Sequence, residues 1–310
     1  MRRLWKIFRA IVSVLLLLAV ILPAAIYVLL SLEPVRKAIS DTASRELSNL
    51  LGAEVNVGSV RLHPFDRATV RDISLVVDGD TTAYISTVSA AFEILPLISS
   101  GDIILDYALL DGVKLAVWRD TPKTPLNIAP IIARLRSDNP GQENTFSLRI
   151  NSVVIRRADA TYDVRSVDRR DSLVFDPAHI AVSGLAVNAD IPHISKGEVT
   201  VNLDHLSFAE SSGFTLDKLS GNFSLTPSQI SVCNLKIALP ESEIDFKPIV
   251  LNIPDGSDLR RAPLSESIGV KTSRFDIYLP DFKAFAPVLA DIDTRLHIDL
   301  DATVSAQCAH

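Results

Sequence analysis

Most of this chain alternates apolar and polar residues, the pattern of strands with one dry and one wet face. The clearest run lies near residue 300 and has apolar residues at every second position: Leu296, Ile298, Leu300, Ala302 and Val304. Similar runs place Ile103, Leu105, Tyr107 and Leu109 on one face, continued by Val113, Leu115 and Val117, and Leu219, Phe223 and Leu225 around Gly221. The sequence therefore predicts a mostly β protein.

Two of these runs change phase midway. The apolar positions are odd from Val199 to Leu203 and even at Leu206 and Phe208, and a similar switch follows Val232. Because a one-residue slip turns every side chain to the other face, each switch predicts a bulge, a bend or a turn, as in a sheet that curls. About 18 strands side by side would give an elongated sheet of about 85 Å.

Residues 10–32 contain no charged side chain and form the longest apolar run of the chain. A helix of this length spans about 34 Å, enough to cross a bilayer core of about 30 Å. A cleaved signal peptide is the alternative, but the run is too long for one and continues past Ala24 and Ala25. The bases Arg2, Arg3, Lys6 and Arg9 precede the run, which places the N-terminus in the cytoplasm and the body in the periplasm of a double-membrane bacterium.

The segment from Glu33 to Leu51 predicts a short amphipathic helix, with Pro34 in its first turn and Gly52 at its end. Shorter helical segments are predicted at Phe92–Ser100 and Leu126–Leu135. Polar loops at 137–144 and 254–263 are the candidate internal boundaries. We therefore predict four segments: a flank and anchor over 1–32, a helix over 33–52, a β segment over 53–136 and a further β segment over 145–310.

The charge of the body argues against binding to nucleic acid. The chain has 31 bases and 37 acids, and four of the bases precede the apolar run, so the remainder is acidic. Phosphate contacts need clustered Lys and Arg, which the sequence does not have. Cys233 and Cys308 could form one disulfide in an oxidising compartment, but two unpaired thiols are favoured because Cys308 lies close to residue 310.

A search for catalytic and metal-binding motifs returns nothing specific. The sequence has no HEXXH, GxSxG, GxGxxG or phosphate-binding GxxxxGK pattern, and His205 and His297 fall in predicted strands. Asp299 and Asp301 are more typical of a solvated strand face than of an acid–base pair. Asp78, Gly79 and Asp80 predict a turn and lack the other ligands of a calcium loop. We expect no enzymatic activity, no cofactor and no metal.

A long curled sheet with one apolar face must cover that face or leave it open. If the face is open, it forms a groove suited to acyl chains or to the unpaired strand edge of another protein. A β-sandwich, in which two apolar faces cover each other, is an equally good interpretation of the periodicity alone.

The order of these segments resembles that of AsmA/TamB-like envelope proteins. The similarity is carried by Gly52–Gly79 (GAEVNVGSVRLHPFDRATVRDISLVVDG) and Ala91–Asp120 (AFEILPLISSGDIILDYALLDGVKLAVWRD). Ser207–Ile244 is also similar to a segment of the long TamB-like proteins of Bacteroides-type bacteria. These motifs are patterns of apolar spacing without catalytic residues. Unlike TamB-like proteins, the sequence carries no segment resembling their C-terminal domain, so we expect a fragment of a longer protein or a short AsmA-like one.

The resemblance implies a gutter-shaped sheet with an apolar interior (a β-taco), which moves phospholipid between two membranes or assists outer-membrane protein assembly with a BamA/TamA-type barrel. The alternative is an anchored interaction module that presents a β edge to such a barrel without lipid cargo. Expected partners are the inner membrane, phospholipid acyl chains and that barrel. The predicted groove lining is Ile103, Leu105, Leu115, Val117, Leu219, Phe223, Leu225, Leu296, Ile298 and Leu300.

Overall fold

The computed structural model describes residues 28–29, 32–63, 67–93, 99, 103–136, 148–170, 173–195, 198–252, 268–299 and 301–304. The described chain is mostly β and forms one open, curled sheet. The strands are β1 (Glu54–His63), β2 (Arg67–Val77), β3 (Asp80–Phe92), β4 (Ile103–Arg119), β5 (Leu148–Ile150), β6 (Ser152–Val164), β7 (His179–Ser195), β8 (Glu198–Glu210), β9 (Thr215–Leu225), β10 (Gln229–Ala238), β11 (Glu243–Phe246), β12 (Ile249–Asn252), β13 (Ile268–Tyr278), β14 (Arg295–His297) and β15 (Asp301–Val304). The helices are α1 (Glu33–Leu51) and α2 (Ala129–Arg136), and two 3-10 helices follow β13 at Leu279–Phe282 and Pro287–Asp291.

The strands follow one another across the sheet almost in sequence order. Neighbours are antiparallel, except that β4 pairs in parallel with β5 and β6 after a connection that contains α2. Since this parallel pair joins the two β segments predicted from the sequence, they belong to a single sheet. The described residues contain no second sheet packed on the first, so the sandwich interpretation does not apply to them.

The sheet is narrower than 18 strands would make it. Three positions along it hold two short strands end to end: β5 and β6 beside β4, β11 and β12 beside β10, and β14 and β15 beside β13. Twelve strands therefore lie side by side along the main path, which spans about 50 Å at ordinary strand spacing. Counting strands along the sequence overestimates this dimension because it treats each short strand as a new position.

A line of unusual backbone conformations crosses the middle of the strands. Positive φ occurs within β2, β4, β6, β7 and β10, at Asp72, Gly112, Arg157, Gly184 and Asn234. Register shifts accompany the phase switches predicted for β8, between Leu203 and Leu206, and for β10, between Cys233 and Lys236. These bulges confirm the predicted irregularities. Each one bends its strand and reverses the alternation, so that the apolar residues on both sides of it face the same way.

Gly112 shows why this line requires a small residue. Its φ is +67°, and a Cβ at this position would lie 2.9 Å from the Cβ of Ser86 on β3. Only a residue without a side chain meets both conditions at low cost. The unusual backbone conformation of β4 at this point is therefore encoded by Gly112 itself.

Helix α1 has the predicted bounds, and Gly52 ends it in the left-handed conformation. Three serines four residues apart line the side of α1 that faces β1. The backbone N–H groups of Val60, Val57 and Val55 donate to the side-chain oxygens of Ser40 (3.1 Å), Ser44 (2.9 Å) and Ser48 (2.9 Å). Because an unpaired strand edge invites pairing with another chain, this serine ladder protects the first edge of the sheet.

Two other predictions need correction. The run from Leu296 to Val304 is not one strand but two, β14 and β15, because six residues of β13 (Lys271 to Asp276) lie opposite only five of this run (His297 to Asp301). Helix α2 begins at Ala129, three residues later than predicted, after Asn127 has bonded to the backbone of Trp118.

The remaining segment predictions fall largely outside the described residues. These are the helical segment after Phe92, the loops 137–144 and 254–263, and the apolar run 10–32 apart from residues 28, 29 and 32. No described helix combines the length and the apolar composition needed to cross a bilayer.

Candidate functional site

One face of the sheet, here called the inner face, carries apolar side chains from the first strand to the thirteenth. Cross-strand register connects one residue from each of eleven strands into a continuous row. Its members are Val60, Val70, Val88, Leu110, Ile155, Val187, Leu206, Leu219, Ile237, Ile244 and Phe275. Directly paired residues point to the same side of a sheet, so this central row is a single apolar stripe perpendicular to the strands.

Further rows flank the central row on the same face. On one side, Leu75, Ala83, Leu115, Ala160 and Val182 are paired in succession from β2 to β7. On the other side, Val201, Phe223, Val232 and Ile249 are paired from β8 to β12. The inner face is thus several apolar side chains wide as well as many strands long.

The structure places several of the predicted lining residues on this face. Leu219 belongs to the central row, and Leu115 and Phe223 to the flanking rows. Val117 pairs with Tyr162, Leu225 with Val199, and Leu105 with Phe92. Leu296 pairs with Ile277, and Leu296 and Ile298 are 37% and 39% exposed. The side chains of Ile103 and Leu300 lie outside the described set, so their part in the lining stays a prediction.

Most of this face is only half covered. Within the described residues, the middle strands have few fully buried apolar side chains, and most inner-face positions from β3 to β10 keep intermediate exposure. In a two-layered domain, the second layer would cover these positions and bury their side chains. The inner face is therefore an open apolar surface over its middle strands.

Two elements cover parts of the inner face. At the first edge of the sheet, Ile39, Ala43, Leu47 and Leu51 of α1 pack on a buried cluster formed by Val55, Val57 and Val60. At the strand ends near the β8–β9 turn, the segment Leu279–Ile292, here called the strap, carries the fully buried Ala284, whose carbonyl accepts a hydrogen bond from the Phe175 backbone at 2.7 Å.

An aromatic cluster fixes the strap to the sheet. The ring centre of Phe285, in the strap, lies 5.2 Å from the ring centres of both Phe175 and Phe214. The ring centre of Phe214 lies 6.2 Å from that of Phe208 in β8. Ser242 donates to Asp281 at 2.6 Å and accepts from the backbone of Tyr278, which holds the start of the strap. The strand ends that carry α2 and the strap, at Arg119, Val164, Glu210 and Tyr278, are here called the helical lip.

Two charged residues occupy inner-face positions at the helical lip. Glu210 of β8 pairs in register with Val182 and is only 6% exposed. Burial opposes ionisation of its carboxyl, but hydrogen bonds from Ser212, Ser211 and the Ala181 backbone outweigh burial and hold its pKa below the ordinary value. Glu210 therefore stabilises the β8–β9 turn as a buried carboxylate. The other charged residue is Arg119.

The outer face of the same strands is polar and internally paired. Arg157 makes two hydrogen bonds to Asp111, at 2.7 and 2.5 Å, and side-chain amides of Asn202, Asn222 and Asn234 form a ladder across three strands. Asp299 is exposed and the residues Asp78 and Gly79 form the predicted turn. This face has the composition of a solvated surface.

An open depression of about 660 Å³ lies on the outer face near Trp118 and His179. His179 contacts Asp163 through Nδ1 and the Val167 carbonyl through Nε2, both at 2.8 Å. The hydrogen bond to Asp163 raises the pKa of His179, against the effect of burial. Arg165 stacks on Trp118 and pairs with Asp80, and Arg169 pairs with Asp163. Each of these three cationic side chains thus contacts a carboxylate of the depression.

The described part of the chain contains no group of three or more His, Cys, Asp or Glu side chains that could hold a metal ion. Cys233 is half-buried and is not in a disulfide, and Cys308 lies outside the described residues. The reasoning from sequence missed the serine ladder, the strap and Arg119. Only the serine ladder has a sequence signal, the spacing of four residues from Ser40 to Ser48 on a predicted helix.

No protein-family model matches the chain, and no curated protein matches it significantly. The geometry of the inner face is therefore the basis for any functional assignment.

Proposed function

We propose that this chain is a membrane-anchored envelope protein of the AsmA/TamB type, whose inner face carries phospholipid acyl chains through the periplasm. The anchor would be the apolar run 10–32, which would leave the sheet outside the inner membrane. The protein would act by providing a dry surface and would catalyse no reaction.

The observation that supports the proposal is the central row, which runs across eleven strands without a polar residue and is only partly buried in the middle. An apolar surface of this size is unfavourable in water, at about 25 cal/mol for each Å² left exposed. An acyl chain lying along the row would cover it without needing any specific polar contact. Lipid is favoured over a globular partner because the apolar surface is long in one direction and carries no specific polar contact point along the central row.

Photocrosslinking from neighbouring positions of β9 tests the proposal. A photoreactive residue at Phe223 faces the inner side, and one at Ser224 faces the outer side of the same strand. We expect lipid adducts from Phe223, and also from Leu105 and Ile298, and none from Ser224 or Asp299. Equal labelling at Phe223 and Ser224, or labelling at Ser224 alone, would remove the proposal.

A second candidate function rests on the two edges of the sheet. The serine ladder of α1 satisfies the first edge, whereas no described strand pairs with the far side of β14 or β15. That open edge could accept a strand from an outer-membrane barrel of the BamA/TamA type. Purification from detergent extracts separates the two candidates: a stoichiometric barrel without phospholipid favours edge pairing, and phospholipid without a barrel favours the groove.

A further inference from the structure

Arg119 stands where the apolar inner face meets the helical lip. It is the last residue of β4, two positions after Val117, and pairs in register with Val164 of β6. Its guanidinium carbon lies 5.4 Å from the centre of the Tyr162 ring, which pairs with Val117 on the inner face. Stacking on an aromatic ring holds the guanidinium in one orientation at the border between apolar surface and solvent.

The hydrogen-bonding capacity of this guanidinium is mostly unused. Nη1 donates to the Pro122 carbonyl at 3.1 Å, while the Nε–H is buried and has no acceptor among the described residues. No described carboxylate forms an ion pair with Arg119, and the neighbouring Asp120 lies 3.9 Å from Arg165 instead. A buried donor on a cation is costly unless an anion accepts from it.

Three other arginines differ from Arg119 in this respect. Arg157 is paired with Asp111, Arg169 with Asp163, and Arg274 with Glu243 at 3.0 Å, and these contacts involve exposed side chains. Arg119 thus combines an inner-face position, an aromatic support and free donors. Lys123, exposed in the turn that follows, adds a second positive charge nearby.

We infer that Arg119 binds a phosphate group at the helical lip while the acyl chains attached to it lie on the inner face. Phosphate fits the edge of a guanidinium through two parallel hydrogen bonds, here from the N–H groups that Nη1 and Nη2 leave unused. The inference rests on the proposed function and adds to the apolar inner face a site for the phosphate headgroup of the lipid. A free organic phosphate carries the same recognition chemistry, so the test separates the two sources.

The test compares two lipids with identical acyl chains, phosphatidylglycerol and diacylglycerol, for binding to the purified full chain in detergent micelles. We expect about tenfold tighter binding of phosphatidylglycerol, the effect of a hydrogen-bonded charge pair. Arg119→Gln should abolish this preference and leave diacylglycerol binding unchanged. Arg119→Lys should retain part of it, because the charge remains without the planar fork.

Arg157→Gln is the matched control, since it removes a paired arginine from the outer face and should preserve the preference. Circular dichroism of each variant checks that the sheet is retained. Glycerol 3-phosphate provides the free phosphate and should compete weakly, because it lacks the acyl chains.

The outcomes distinguish the two levels of the proposal. If the native chain binds neither lipid, the proposed function fails. If it binds both and Arg119→Gln still prefers phosphatidylglycerol, the role of Arg119 is wrong while the groove stands. Strong competition by glycerol 3-phosphate, with no binding of diacylglycerol, would assign Arg119 to a soluble phosphate and overturn the lipid assignment.

Discussion

The two parts of the inner face, one under α1 and one over the middle strands, have the same chemistry and different burial. Val57 and Val60 are 8% and 6% exposed because α1 covers them, whereas Leu110 and Ile155, farther along the row that begins at Val60, are only partly buried. Residue type does not explain the difference, since both parts consist of branched apolar side chains. The comparison shows that α1 covers the apolar face at the first strands, whereas the apolar side chains of the middle strands stay partly exposed.

The largest loss of stability is expected when a charged side chain is placed under α1. Val57→Asp would bury an unpaired carboxylate and should lower the free energy of unfolding by about 3–5 kcal/mol. Chemical denaturation of the purified chain measures this.

Phe223→Asp is the counterpart on the uncovered part of the face. There the carboxylate keeps contact with water, so we expect a loss of about 1 kcal/mol together with loss of lipid labelling. Equal destabilisation by the two substitutions would show that Phe223 is covered as fully as Val57.

Removing the serine ladder should have the next largest effect. Ser40→Ala, Ser44→Ala and Ser48→Ala together leave three backbone N–H groups of β1 without acceptors, a loss of about 3 kcal/mol. Hydrogen exchange should become faster at Val55, Val57 and Val60, while the middle strands stay unchanged. Thr42→Ala, on the exposed side of α1, is the control and should leave exchange at Val57 as it is.

Glu210→Gln removes the buried carboxylate at the helical lip and should cost about 1–2 kcal/mol at neutral pH. Because the pKa of Glu210 is lowered from 4.5, its contribution to stability is present above pH 4.5 and is lost as pH falls through the folded-state pKa. The native chain should therefore lose more stability in acid than Glu210→Gln does. Parallel pH curves for the two would contradict this account of the turn.

The smallest effect concerns His179 on the outer face. Its contacts with Asp163 and with the Val167 carbonyl both place acceptors at the ring, and Asp176 adds negative charge, so the imidazolium is favoured. The raised pKa means that this stability is present below pH 6.5 and is lost as pH rises through the folded-state pKa. NMR titration should show the pKa of His179 falling in Asp163→Asn, with Asp204→Asn as an unaffected control.

The parts of the fold that follow from local pattern could be predicted from the sequence. Period-two alternation gave the face of Leu115, Leu219 and Phe223, and phase switches marked the bulges of β8 and β10. The bounds of α1 followed from Pro34 and Gly52, because helix ends depend on residues a few positions away.

Features that depend on distant contacts could not be predicted in this way. The break between β14 and β15 arises from register against β13, which no residue between 295 and 304 encodes alone. The sequence around Arg119 indicates only an ordinary arginine at a strand end. The contact that distinguishes it is made by the ring of Tyr162, which is remote in sequence. The strap is held by Phe175 and Phe214, which are equally remote in sequence.

The hydration of Phe223 tests most directly whether the inner face is open. A nitroxide label would replace Phe223 or, as control, Ser224, in a chain with Cys233→Ser and Cys308→Ser. After removal of lipid, we predict water contact at both labels. Added phospholipid should then remove water contact from the label at 223 and leave the water contact of the label at 224 unchanged. A dry label at 223 before any lipid is added would contradict the account, because it would show that the chain already covers this face itself.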